Sequence, residues 1–277
     1  MIKHILIPTD FSPCAINALD FAVHFALDMS TKPKLTILNA YTLPLAYSDI
    51  NISFGPGLEA NEVEEHIKKE FSELEEQVPL LKQLDYKTSL KATFLKDAVE
   101  EFCDEKKVDL IVMGTLGASG VDEVVLGSNA HRIIQSAVAP VLVIPQNASY
   151  GKIENMAVSN DYKGLTPDAI IALKDVDMTF GAKLHLIHIS KEPILDTKKS
   201  AEAKELYHHL KDIPHQFHFI KDENVEIGLH KFMEQEAIDM LVVAPRKKGL
   251  FQKLFGRSES KSLIFHTKIP LLALVND

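Results

Sequence analysis

The 277-residue sequence predicts an α/β fold: two tandem open five-stranded parallel sheets with helices on both faces. Two observations lead there. Short aliphatic runs alternate with longer segments of helical periodicity, as in parallel strands joined by covering helices. The same order of elements then repeats, with matched landmarks, in the second half of the chain.

"IKHILIPTD" is too short and too aliphatic for a helix and reads as a buried strand, Ile2 to Pro8. Ser12 is a good helix cap and Pro13 suits a first helical position. Ala15, Ala18, Leu19, Ala22, Phe25 and Ala26 then recur at helical spacing. "KLTILNAYTLP" is a second strand, ended by Pro44, and a Gly-, Pro- and Ser-rich loop follows. "NEVEEHIKKEFSELEEQV" is an amphipathic helix with Val63, Ile67, Phe71, Leu74 and Val78 on one face. "YKTSLKATFL" is a strand, "DAVEEFCDEKKV" a helix and "DLIVMGT" a strand. A glycine-rich connection leads to the helix "SNAHRIIQSAV", and "APVLVIPQ" closes this half as a strand.

The second half repeats the order. "IENMAVSND" matches "IKHILIPTD", and Thr166-Pro167 stands in place of Ser12-Pro13. "AKLHLIHIS" matches "PKLTILNAY", Asp239 matches Asp109, and Pro270 matches Pro140. Two domains are therefore expected, residues 1–147 and 152–277, joined around "NASYGK". The competing reading is one large mixed sheet whose halves look alike because all α/β units do.

The composition, 46% hydrophobic and 25% charged, is that of a globular chain with real cores. A formal net charge of -9 argues against a general nucleic-acid or anionic-membrane binder. Two cysteines, Cys14 and Cys103, make no disulfide framework and fit a reducing cytoplasm. No apolar run is long enough for a signal peptide or a membrane helix, so a cytoplasmic protein is expected.

The stretch "MGTLGASGVDEVVLGSNAHRI", residues 113–133, carries the functional question. Gly114 lies just past the carboxyl end of a strand, where doubly wound sheets bind ligands. Ser128 begins a helix, whose unpaired N–H groups and dipole favour an anion. Gly114 and Gly117 would let backbone approach a ligand. Asp10, on the same rim, could accept hydrogen bonds from ribose hydroxyls or a base amine. The stretch is neither a Walker A loop nor a Rossmann fingerprint. The nearest Walker-like run, "GRSESKS", has Ser260 in place of the second glycine. The residues alone leave anion binding and a structural loop both open.

The chain resembles a tandem member of the universal stress protein family. Gly114, Gly117, Gly127 and Ser128 fit that family's ATP-binding pattern G-2x-G-9x-G-[ST], and "PTD" at Pro8, Thr9 and Asp10 fits its first strand. The resemblance implies a Rossmann-like sheet of the adenine nucleotide alpha hydrolase type. It implies ATP, with adenine and ribose near Pro8, Thr9, Asp10 and Ala40. Met113, Gly114, Leu116 and Gly117 would line the nucleotide, and Gly127, Ser128, Asn129 and Ala130 would hold the phosphates. Any Mg²⁺ would sit on phosphate and water, since no metal-ligand cluster is visible. The resemblance also implies pairing of last strands, here internally through "PVLVIP" and "PLLALV". That pairing makes an intramolecular pseudo-dimer and leaves a homodimer of chains open.

The second copy departs from the pattern. Ala244 and Lys247 replace Gly114 and Gly117, Arg257 faces Ser128 across a one-residue gap, and Ser159-Asn160 replaces Pro8-Thr9, while Asp161 survives. It is expected not to bind ATP in the family's way. Arg246, Lys247, Lys248, Lys253, Arg257 and Lys261 form a basic cluster that reads as a solvated loop and helix start. Leu250, Phe251, Leu254 and Phe255 read as core. His208, His209, His215 and His218 lack zinc spacing and read as surface residues. His185 and His188 should face opposite sides of a strand. Cys14 reads as a small, half-buried residue. No catalytic residues are expected. The implied function is an ATP-binding, stress-linked regulator whose phosphates order the 117–127 connection. A slow ATPase and a nucleotide-free interaction module are the alternatives.

Overall fold

The computed structural model describes residues 1–42, 60–115, 127–136, 138–159, 165–190, 197–244 and 269–276. The first half contains β1 (His4–Pro8), α1 (Pro13–Asp28), β2 (Lys34–Ala40), α2 (Ala60–Gln77), a 3₁₀ turn (Pro79–Gln83), β3 (Tyr86–Lys91), α3 (Leu95–Lys106), β4 (Leu110–Gly114), α4 (Ser128–Ser136) and β5 (Val141–Ile144). The second contains β6 (Asn155–Ser159), α5 (Pro167–Phe180), β7 (Lys183–Ser190), α6 (Thr197–His209), β8 (His215–Lys221), α7 (Val225–Gln235), β9 (Met240–Val243) and β10 (Leu271–Ala273).

Local chemistry sets the element ends. Ser12 caps α1 by accepting from the Ala15 N–H, and Pro13 follows where its missing N–H costs nothing. Thr166 and Pro167 do the same for α5, which stops at Gly181 in the left-handed region, φ 64°. The matched aspartates have a matched job. Asp109 accepts from the Lys3 and His4 N–H groups at 2.8 and 2.9 Å. Asp239 accepts from Glu154 and Asn155 at 2.9 and 3.0 Å. Each carboxylate thus clasps the start of its half's first strand.

Each half is parallel, in the order 3-2-1-4-5 for the first and its equivalent for the second. The two halves are not separate sheets. They join into one ten-stranded sheet, β3-β2-β1-β4-β5-β10-β9-β6-β7-β8. At the seam β5 pairs antiparallel with β10, Leu142 opposite Leu272. The carboxyl ends of the two sets of strands therefore point to opposite edges of the slab. Helices cover both faces. α1, α2, α5 and α6 pack on one core and α3, α4 and α7 on the other, and each core draws residues from both halves. Among the described residues no helix is long and apolar enough to cross a membrane.

Candidate functional site

In the order 3-2-1-4-5 the chain reverses its direction of winding between β1 and β4. The crevice beyond the carboxyl ends of those strands is where an open α/β sheet can receive a ligand. A cleft of about 200 Å³ opens there.

Its first wall is the turn after β1. The Thr9 N–H donates to the Leu38 carbonyl at 2.8 Å, and the Thr9 carbonyl accepts from Asn39 Nδ2 at 2.8 Å. Thr9 Oγ1 accepts from the Phe11 N–H at 3.0 Å. Phe11 sits at φ 60°, a conformation that bulky side chains avoid. Its ring is held edge-on against Phe71 of α2, centroids 5.2 Å apart. Ser12 donates its N–H and its hydroxyl to Asp10 Oδ1, at 3.1 and 2.6 Å, while the same hydroxyl caps α1. The Asp10 carboxylate is thus aimed by the helix cap and stays exposed to solvent.

The second wall is the exit of β4. Thr115 donates its N–H to Ile144 at 3.1 Å, and its carbonyl accepts from the Gly127 N–H at 2.6 Å. A Cβ on Gly114 would stand 2.8 Å from Cys14 Sγ and 2.9 Å from the Cys14 carbonyl. The first turn of α1 therefore requires this glycine, independently of any ligand. The third wall is α4. The His131 N–H closes its first turn onto the Gly127 carbonyl at 3.0 Å. The N–H groups of Ser128, Asn129 and Ala130 precede that bond, so the helix ladder does not use them. Gly127, not Ser128, takes the capping position.

Pro8, Thr9, Asp10, Ala40, Met113, Gly114, Gly127, Ser128, Asn129 and Ala130 all line this one cleft. Leu116 and Gly117 lie outside the described residues. Ala15, Leu95 and Thr115 also line it and escaped the sequence reading. Thr115 directly follows Gly114 and could have been inferred, whereas Leu95 enters from α3. Asp10 is the only titratable side chain among the described lining residues.

In the second half Ser159 is buried at the end of β6 and Ala244 is half-buried after β9. Asn160, Asp161, Lys247 and Arg257 lie outside the described residues, as do the basic cluster and Leu250, Phe251, Leu254 and Phe255.

His208 and His209 are exposed on α6, as expected of surface residues. His215 and His218 are not: both are half-buried, because β8 packs beside β7. His218 Nε2 lies 3.1 Å from His185 Nδ1, and His185 Nε2 lies 3.2 Å from Asn155 Oδ1. With Asn155 accepting, each ring carries its hydrogen on Nε2. The rings stack at 5.0 Å against Phe232, and burial lowers both pKa values. His188 faces the opposite core. Cys14 is fully buried rather than half-buried, with Sγ 3.7 Å from Thr115 Oγ1. No group of three metal-ligating side chains occurs among the described residues.

Residues 1–145 match the universal stress protein family. The chain belongs to that family. It is 30% identical over 151 residues to a universal stress protein of Methanocaldococcus jannaschii, covering 52% of this chain and 82% of the relative. It is 27% identical over 150 residues to universal stress protein YxiE of Bacillus subtilis, covering 52% of this chain and 99% of the relative. Both halves share the fold of a universal stress protein from Archaeoglobus fulgidus, with a TM-score of 0.73 at 19% identity, over 99% of this chain and 98% of that one. Family membership gives this universal stress protein a stress-response role.

Proposed function

We propose that this universal stress protein is a nucleotide-dependent, cytoplasmic regulator that binds ATP in the cleft between β1 and β4. The observation that carries the reading is convergence. Residues 8–10, 113–115 and 127–130, from segments about a hundred residues apart, meet at a helix N-terminus whose first N–H groups are unclaimed by the helix. Asp10 and Ala40 would hold ribose and adenine, and Ser128, Asn129 and Ala130 the phosphates, with any Mg²⁺ carried on phosphate and water. Residues 1–147 form the binding domain in this reading. Residues 152–277 form a second domain that pairs with it across the seam and lacks an equivalent site. With Asp10 as the one titratable group among the described lining residues, the cleft offers binding more readily than hydrolysis.

Calorimetric titration with Mg·ATP tests this. One site per chain is expected. Ser128→Asp should weaken ATP about tenfold or more by setting a carboxylate against phosphate, while leaving α4 intact, because acids suit a helix N-terminus. Two equivalent sites, or affinity unchanged by Ser128→Asp, would overturn the proposal.

A further inference from the structure

Behind the first wall of the cleft stands a buried amide that does not line it. Asn39 is the next-to-last residue of β2. Its side chain shares a sheet face with that of Ile37, on the core under α1 and α2, whereas Leu38 and Ala40 face α3 and α4. Ala40 lines the cleft and Asn39 does not. Asn39 is only 6% exposed, and a polar group so placed needs partners.

Nδ2 has one, the Thr9 carbonyl, to which it donates at 2.8 Å. A carbonyl can only accept, so this contact fixes which end of the amide faces Thr9. Oδ1 is then left buried, with no partner among the described residues. An unpaired buried acceptor is destabilising, so stability alone gives no reason for an amide here. What the amide holds does. The Thr9 carbonyl belongs to the rigid Thr9–Asp10 peptide plane, and the Thr9 N–H is already bound to the Leu38 carbonyl at 2.8 Å. The end of β2 thus grips Thr9 from both sides and gives the plane leading into Asp10 one orientation. Phe11 follows at φ 60°, a conformation that persists only while its surroundings over-determine it. Those restraints include the bond from its N–H to Thr9 Oγ1, the Phe71 ring and, through the peptide plane, Asn39.

We infer that Asn39 is a positioning residue for the cleft: it holds the Thr9–Asp10 peptide so that the Asp10 carboxylate stays opposite the first N–H groups of α4. This rests on the reading of the cleft as an ATP site. Without the Asn39 bond the peptide rotates, Phe11 relaxes, and Asp10 leaves its place. A donor other than an amide fits such a position, since β7 carries a buried His188 at the matching point of the repeat.

Asn39→Leu keeps the volume and removes both the donor and the unpaired acceptor. The Kd for Mg·ATP, read by calorimetry, should rise about tenfold, the scale of one buried hydrogen bond. Thr166→Ala, a cap loss in the other half, should leave Kd unchanged although it too lowers stability. Asn39→His should return Kd to within about threefold of wild type. Without nucleotide, hydrogen exchange at the Phe11 and Ser12 amides, which bond to Thr9 Oγ1 and Asp10 Oδ1, should be about tenfold faster in Asn39→Leu. Equal Kd in wild type and Asn39→Leu overturns the inference. So does unchanged exchange at Phe11 and Ser12, or an equal loss of affinity in Thr166→Ala, which would mark the effect as lost stability. If wild type binds no ATP, the ATP reading falls, and the exchange measurement still decides whether Asn39 holds the turn.

Discussion

Replacing Gly114 with alanine separates two explanations of one glycine. If the residue is small only so that a ligand can approach, Gly114→Ala weakens nucleotide binding and leaves the fold alone. The structure says otherwise. The added methyl would stand 2.8 Å from Cys14 Sγ, 2.9 Å from the Cys14 carbonyl oxygen and 3.1 Å from its carbon. Two of these atoms are backbone in the first turn of α1, and Cys14 is buried, so nothing flexible can yield. Overpacking of this kind costs about 1–3 kcal/mol. The lower entropy of an alanine in the unfolded chain returns about 0.4–1 kcal/mol. The midpoints of these two ranges leave a net loss of about 1.3 kcal/mol. Urea denaturation followed by far-UV circular dichroism reads it directly. Cys14→Ala in the same chain should recover part of the loss, because it removes Sγ but not the carbonyl. Stability of Gly114→Ala equal to wild type would refute the reasoning, and full recovery in the double variant would show that the backbone contact is unimportant.

Ser12→Ala should destabilise by about 1 kcal/mol, and should weaken ATP as well, since the same hydroxyl holds Asp10. Thr166→Ala should match the stability loss without the binding loss. The His185–His218 pair gives stability a pH dependence. Burial lowers both groups, Lys183 lowers them further, and Glu236 opposes it. The unfolded chain therefore takes up protons first as pH falls below about 6.5. The contribution is complete above that pH and is lost below it, so wild type should lose more stability between pH 8 and pH 5 than His185→Gln does. Burial, with help from Asp104 and Glu100, pushes the Cys103 thiol to about 11. At pH 8 it should react with an alkylating reagent about a hundredfold more slowly than a free thiol, and unfolding in urea should abolish the difference.

Much of the fold is legible because its signals are local. Ser12-Pro13 and Thr166-Pro167 fix two helix starts within three residues of chain, and the aliphatic runs at β1, β4, β6 and β9 admit only buried strands. The repeat exposes Asp109 and Asp239 as equivalent, although their task of clasping β1 and β6 appears only in three dimensions. Most of the candidate cleft was legible because strand ends and helix starts carry it. What was missed depends on long-range placement. Leu95 reaches the cleft through α3 packing. Gly114 meets Cys14 across a hundred residues of sequence. His218 finds His185 through the register of β8 on β7, which neither strand specifies alone. The joint between the two halves was expected from the resemblance, through "PVLVIP" and "PLLALV", but its register, Leu142 opposite Leu272, appears only in three dimensions.

That seam has an evolutionary corollary. When separate chains pair through one strand, that strand must fit itself, and every substitution lands on both sides of the contact. Here Val141–Ile144 meets Leu271–Ala273, and a short tether supplies an effective concentration in about the millimolar range. Self-complementarity is then no longer demanded of either strand. Each copy can accumulate its own changes while the other keeps the joint intact, and the rim of the second half has done so: Ala244 stands where the first keeps Gly114.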